Sequence, residues 1–119
     1  NAKVGILGLS FKENCPDIRN TNVISIIDSL IEHKCKVSVS DPKVDFDLAK
    51  SLYGINLVDY HDFKNIDCII LAVAHNEFKN IKIEKWKRMF NNKKAALLDV
   101  KSLYSKQYFN NSSINYWRL

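Results

Sequence analysis

Two cations, Lys12 and Arg19, sit in the single stretch GLSFKENCPDIRN, Gly8 to Asn20. Lysine near a helix start offers phosphate a mobile point charge, and arginine offers a planar fork suited to two-point contact with an anion. Helix N-termini favour anions as well. Asp17 stands close enough in sequence to Arg19 to orient its guanidinium or to cap the local backbone. Pro16 stiffens the stretch, which lowers the entropic cost of holding a ligand. These residue types fit an anion site. They fit equally well a solvated loop with a local Asp–Arg pair, and spacing alone does not separate the two.

Other candidates lie further along the chain. His75 follows the strongest apolar run, where its ring can contact a ligand or cap the next turn. Lys101 follows LLDV and can reach a second part of the same ligand, with Asp99 pairing to it or bonding to loop backbone. His33 and His61 are expected to face solvent, and Trp86 to be a core aromatic. Cys15 lies near Lys12 and Arg19, which would lower a thiol pKa, but no histidine is placed beside it and catalysis is not assigned to it. Gly5 and Gly8 give G-x-x-G within an apolar run, not the G-x-G-x-x-G turn that brings a helix to a pyrophosphate. A conventional NAD site is therefore not expected in this chain, and both glycines read as points of close backbone packing. No G-x-S-x-G, H-E-x-x-H or Walker lysine motif is present. With three widely spaced cysteines and no CxxC pair, neither a disulfide nor a metal site is expected.

The elements that must position these residues follow from periodicity. KVGILGL (3–9), CKVSVSD (35–41), INLVDY (55–60), DCIILAVA (67–74) and KAALLDVK (94–101) read as strands, with SINYWRL (113–119) a possible last one. Val23, Ile26, Ile27, Leu30 and Ile31 mark an amphipathic helix with Asn20 or Thr21 as its N-cap. Phe46 to Tyr53, ended by Gly54, and Ile83 to Phe90 mark two more. Strands that are apolar on both faces belong to parallel sheets covered by helices. The predicted fold is α/β: a three-layer αβα sandwich with a mostly parallel, five- or six-stranded, Rossmann-like sheet. In such sheets ligands bind beyond the carboxyl ends of the strands, where Lys12, His75 and Lys101 all fall.

Composition bounds the remainder. The 119 residues suit one domain, with 46% apolar and 26% charged residues. Asn1-Ala2 reads as an expression-tag remnant and residues 3–119 as a single domain, with no signal peptide and no membrane span expected. The net charge of +5 is spread as single and paired lysines, which favours a small anionic ligand over nucleic acid. Cysteine usage points to a reducing, cytoplasmic setting.

The segment FKENCPDIRNT, Phe11 to Thr21, resembles the start of the C-terminal domain of the UDP-glucose/GDP-mannose dehydrogenase family. LAVAHNEF (Leu71 to Phe78) and LLDVKSLY (Leu97 to Tyr104) are similar to later motifs of that family, in the same order. ENCPDIRNT looks most like members that oxidise UDP-N-acetylhexosamines to uronic acids. The resemblance implies an NAD-binding Rossmann domain, a central helical dimerisation region and a C-terminal domain that binds the UDP part. It implies oxidation of a sugar C6 alcohol to a carboxylate in two hydride transfers, with two NAD and a thiohemiacetal on a cysteine outside this chain. By position, Phe11 and Lys12 match contacts to the UDP-sugar, and Arg19 matches an arginine that reaches NAD across the interdomain cleft. Lys101 matches a basic position near the nucleotide where several relatives carry Arg, and Asp17 an acidic position that supports the loop.

The implied partners are the UDP-sugar, NAD, the enzyme's own N-terminal and central domains, and further copies in a homodimer or higher oligomer. The implied setting is cytoplasmic synthesis of capsule or O-antigen. The chain lacks the Gly-rich NAD loop and the nucleophilic cysteine, so alone it is expected to be inactive. UDP-glucose and GDP-mannose remain alternative substrates. A standalone flavodoxin-like or receiver-like module is the alternative from another class, although Leu9-Ser10 and Asp59-Tyr60 lack the acidic residues of a receiver.

Overall fold

The short apolar runs do build a sheet. The computed structural model describes residues 1–118, in which five strands are ordered β2-β1-β3-β4-β5. They are β1 (Lys3–Leu7), β2 (Lys36–Ser40), β3 (Cys68–Leu71), β4 (Ala96–Asp99) and β5 (Asn115–Arg118). Every neighbouring pair is parallel, with Ile6 opposite both Val39 and Ile70, and Ile70 opposite Leu98. Leu119, at the end of the expected last strand, lies outside the described residues.

Alternate strand residues feed two apolar layers. Val4, Ile6 and Ile70 face α1 (Val23–Glu32) and α2 (Phe46–Tyr53). Leu7, Ile69, Leu71 and Leu97 face α3 (Ile83–Met89) and its neighbouring 3-10 turns. Trp86 of α3 is fully buried there, edge-on to Tyr104 and Phe109. Fully burying a large apolar side chain stabilises the fold by roughly 1.5–3 kcal/mol, so these layers hold the sheet between them. Local chemistry sets the helix ends. Asp45 accepts the N–H of Leu48 at the start of α2, and Gly54, with φ 69°, ends it in the left-handed conformation.

Two expectations need correction. INLVDY is not a strand: Val58 N–H bonds to the Val39 carbonyl, but no ladder continues, and Asp59 starts a 3-10 turn over Tyr60–Asp62. The sheet therefore has five strands among the described residues, the lower of the two numbers expected. Helix α1 begins later than Asn20 or Thr21 suggested. Asn20 is left-handed at φ 59°, so the chain is still turning there, and Asn22 takes the N-cap position. The Thr21 hydroxyl accepts the N–H of Val23 instead.

The connections give the sheet its functional geography. From β1 the chain passes through α1 to β2 on one side. From β3 it passes through α3 to β4 on the other. The crossovers diverge between β1 and β3, which is the switch point where open parallel sheets bind ligands.

Candidate functional site

At that switch point Gly8 makes the junction between β1 and β3. Its φ is 105°, and a Cβ there would lie 2.6 Å from the Val73 Cβ. A side chain would be strained and would also collide, so only glycine fits. Gly5 is likewise covered, by the Phe63 ring at 2.6 Å from a would-be Cβ. Both glycines serve close packing. Neither forms a turn under a pyrophosphate, so these residues do not fit a dinucleotide fingerprint.

Beyond Gly8 the loop is tied down in stages. The N–H groups of Leu9 and Ser10 both donate to Asp41 Oδ2, at 2.7 and 2.9 Å. Phe11 N–H donates to the Asp17 carbonyl at 2.7 Å, closing the intervening residues into a compact excursion. Ile18 is fully buried, and its carbonyl accepts the Tyr53 hydroxyl of α2. The loop is long because it folds on itself and docks against two neighbours before α1 begins.

The excursion forms one wall of an open cleft of about 320 Å³. Phe11, Lys12 and Lys101 all line it, with Ala72 to Ala74 after β3 as its floor and Asn22-Val23 at the start of α1. Two lysines face one carboxylate, Glu13, so the lining is net cationic. The first turn of α1 carries no acidic residue and Asn22 makes no side-chain cap, so no carboxylate offsets the positive end of the helix, although Thr21 Oγ takes the Val23 N–H and the Asn22 carbonyl takes the Ser25 N–H. Phe11 is 55% exposed, unusual for so large an apolar residue. The arrangement can bind a phosphorylated ligand with an apolar or ring-bearing portion. A slightly larger depression, about 380 Å³, lies at the amino ends of β1 and β2 around Lys3, Lys36 and Phe63. It is at the end of the sheet away from the switch point.

Arg19 is not part of this cleft lining. Its Nε and Nη2 donate to the two carboxylate oxygens of Asp17, each at 3.0 Å, and its backbone N–H also donates to Asp17. That guanidinium holds the Asp17 carboxyl down to about 2, and the Arg19 side chain remains 79% exposed. Asp17 thus does both things its position suggested: it orients the guanidinium and caps local backbone. The Nη1 edge of Arg19 has no partner among the described residues.

His75 lies behind the loop, fully buried, and not in the cleft. It flanks the 3-10 turn Asn76–Phe78 without capping it through its side chain. Its Nδ1 accepts the N–H of Asn14 at 2.8 Å, and its Nε2 lies 2.9 Å from Asp41 Oδ2 and 3.0 Å from Ser10 Oγ. Both ring nitrogens are therefore engaged by protein. Burial pushes the Asp41 carboxyl up, but His75 and the N–H groups of Leu9, Lys43 and Ser10 together hold it below its ordinary value. Serine, histidine and aspartate here do not form a nucleophilic triad. Both oxygens meet the same imidazole nitrogen, the other nitrogen is an acceptor, and the Ser10 hydroxyl donates to the Lys12 carbonyl.

A second buried carboxylate, Asp99, anchors the loop that carries Lys101. Its Oδ2 accepts the Tyr104 N–H at 2.9 Å and the Tyr116 hydroxyl at 2.6 Å. Of the two sequence expectations for Asp99, the bond to loop backbone is the one formed. Sequence reasoning did not single out Ser10, Asn14 or the carboxylate of Asp41 as a cluster. The available signal was an aspartate directly after an apolar strand and before a proline, a place where a solvated side chain is not required.

Comparison with known proteins agrees with this geometry. Residues 5–106 match the UDP-glucose/GDP-mannose dehydrogenase family, UDP binding domain. The chain is 38% identical over 120 residues to Protein CapL of Staphylococcus aureus, covering 99% of this chain and 27% of that protein. It is 44% identical over 102 residues to a UDP-N-acetyl-D-glucosamine 6-dehydrogenase of Pseudomonas aeruginosa, covering 86% and 24%. The fold matches the NDP-N-acetyl-D-galactosaminuronic acid dehydrogenase of Methanosarcina mazei at a TM-score of 0.83 and 21% identity, covering 98% of this chain and 24% of that one. The chain thus spans about a quarter of the length of the relatives it matches. A cationic cleft at the switch point of a parallel sheet, and a family match over residues 5–106, lead to one conclusion: the chain belongs to the UDP-glucose/GDP-mannose dehydrogenase family and carries its UDP-binding domain.

Proposed function

We propose that this chain is the UDP-sugar-binding, C-terminal domain of an NAD-dependent UDP-N-acetylhexosamine 6-dehydrogenase. The observation that carries the reading is the convergence of Phe11, Lys12 and Lys101 on the cleft above the start of α1. The diphosphate sits between the two lysines and the start of α1, where opposite charge and the positive end of the helix dipole act together. Phe11 covers the ring-bearing part of the nucleotide-sugar. Arg19, held outward by Asp17, reaches NAD bound by a separate N-terminal domain; NAD supplies the hydride acceptor, and no other residue here is assigned to it. The catalytic cysteine belongs to a part of the enzyme outside this chain. The N-acetylhexosamine is favoured because relatives at 43–44% identity are named as UDP-N-acetyl-D-glucosamine dehydrogenases, against 25–26% for those named for UDP-glucose. The same reading extends to a homo-oligomeric cytoplasmic enzyme of capsule or O-antigen synthesis.

Calorimetric titration of the chain with UDP tests the cleft. Binding is expected, and Lys12→Ala is expected to weaken it about tenfold, the loss of one charge-assisted contact. Equal affinities for both forms would overturn the assignment. In a full-length enzyme, NAD reduction is expected with UDP-N-acetylglucosamine and not with UDP-glucose. The isolated chain is expected to form no NADH with either.

A further inference from the structure

We propose that His75 is a positioning residue for the cleft: with Asp41 and Asn14 it locks the ligand loop in the shape that sets Lys12 on the rim. The inference rests on reading that cleft as the UDP site. The backbone N–H of Asn14 can only donate, so Nδ1 of His75 must accept, and the neutral ring carries its proton on Nε2. That proton points at Asp41 Oδ2, which also receives the N–H groups of Leu9 and Ser10. Ser10 Oγ lies beside Nε2 and donates to the Lys12 carbonyl at 3.0 Å, so the network ends on the backbone of the lysine itself.

The loop tip is fastened a second time. Asn14 Oδ1 accepts the N–H of Asn76, the residue after His75, at 2.9 Å. Asn14 is left-handed at φ 56°, which turns its amide and side chain back toward the strand end. The imidazole therefore joins the end of β2, the end of β3 and the loop, at zero exposure. A histidine kept only to fill core volume would need none of these bonds. Leucine would fill the space, whereas glutamine retains one donor and one acceptor.

The test uses the 119-residue chain, with UDP affinity by calorimetry and amide hydrogen exchange by NMR. His75→Leu is expected to speed exchange at Asn14 and Ser10 and to weaken UDP binding about tenfold. His75→Gln is expected to restore most of both. Asn14→Gly keeps the left-handed backbone, removes only the bond to Asn76, and should weaken binding about threefold. If His75→Leu does not fold, Asn14→Gly and the rescue by His75→Gln decide the matter. Folded His75→Leu with unchanged UDP affinity and unchanged Asn14 exchange would overturn the proposal. So would a wild-type 15N spectrum in which Nδ1 bears the proton. If the wild-type chain binds no UDP, the cleft reading fails by itself, and Asn14 exchange still reports whether the latch exists.

Discussion

The two loops that bring lysines to the cleft are anchored by the same device, differently wired. Each hangs from a buried aspartate at the end of a strand that accepts backbone N–H groups. For the Lys12 loop the anchor is Asp41, just past the end of the neighbouring strand β2, with His75 from beyond β3 as a further partner. For the Lys101 loop it is Asp99, at the end of β4 itself, and its backbone partner Tyr104 is only five residues away. Asp41 uses both oxygens, since Oδ1 takes the Lys43 N–H, whereas Asp99 Oδ1 has no partner among the described residues. The first loop exists only once the sheet is assembled. The second is written largely into its own segment, with Tyr116 of β5 added.

Changes at the two anchors should therefore be unequal. Asp41→Asn is expected to have the largest effect, a loss of about 3 kcal/mol in urea unfolding, because an amide cannot accept every donor now aimed at the carboxylate. A loss no greater than that of Asp99→Asn would remove the distinction. The difference should also depend on pH. Asp41 is held below its ordinary 3.8 in the folded protein, so its contribution is whole above that value and is lost as pH falls toward the folded value. The advantage of wild type over Asp41→Asn should accordingly shrink in acid. Asp99→Asn is expected to cost about 1–2 kcal/mol, with hydrogen exchange loosened at Tyr104 and unchanged at Ser10. Tyr116→Phe removes one hydroxyl from Asp99 and should cost about 1 kcal/mol, affecting only the Lys101 loop. Arg19→Ala should be the mildest, leaving the melting temperature and UDP affinity unchanged, since its side chain is exposed and its partner local. In the full-length enzyme it should raise KM for NAD.

This contrast also explains what the sequence made legible. Runs such as CIIL and ALLD announce buried parallel strands because they are apolar on both faces, and the carboxyl-end rule then locates Lys12 and Lys101 without coordinates. INLVDY alternates like a strand, yet its single bond to β2 does not become a ladder, and nothing local forbids one. The role of His75 was hidden for a similar reason. Asp41 is 34 residues away and Ser10 is 65, so only strand pairing brings them together. The Asp17–Arg19 pair is readable because it is a matter of neighbours.

The Lys12 loop takes its left-handed turns at Asn14 and Asn20, where glycine would have been the easier residue. Glycine leaves an unfolded chain with more conformations to surrender on folding. With asparagine at both turns and Pro16 between them, much of the loop's disorder is already absent before the chain folds. The ordering of this wall of the cleft is thus lightened in the denatured state, by residue choices that touch no ligand.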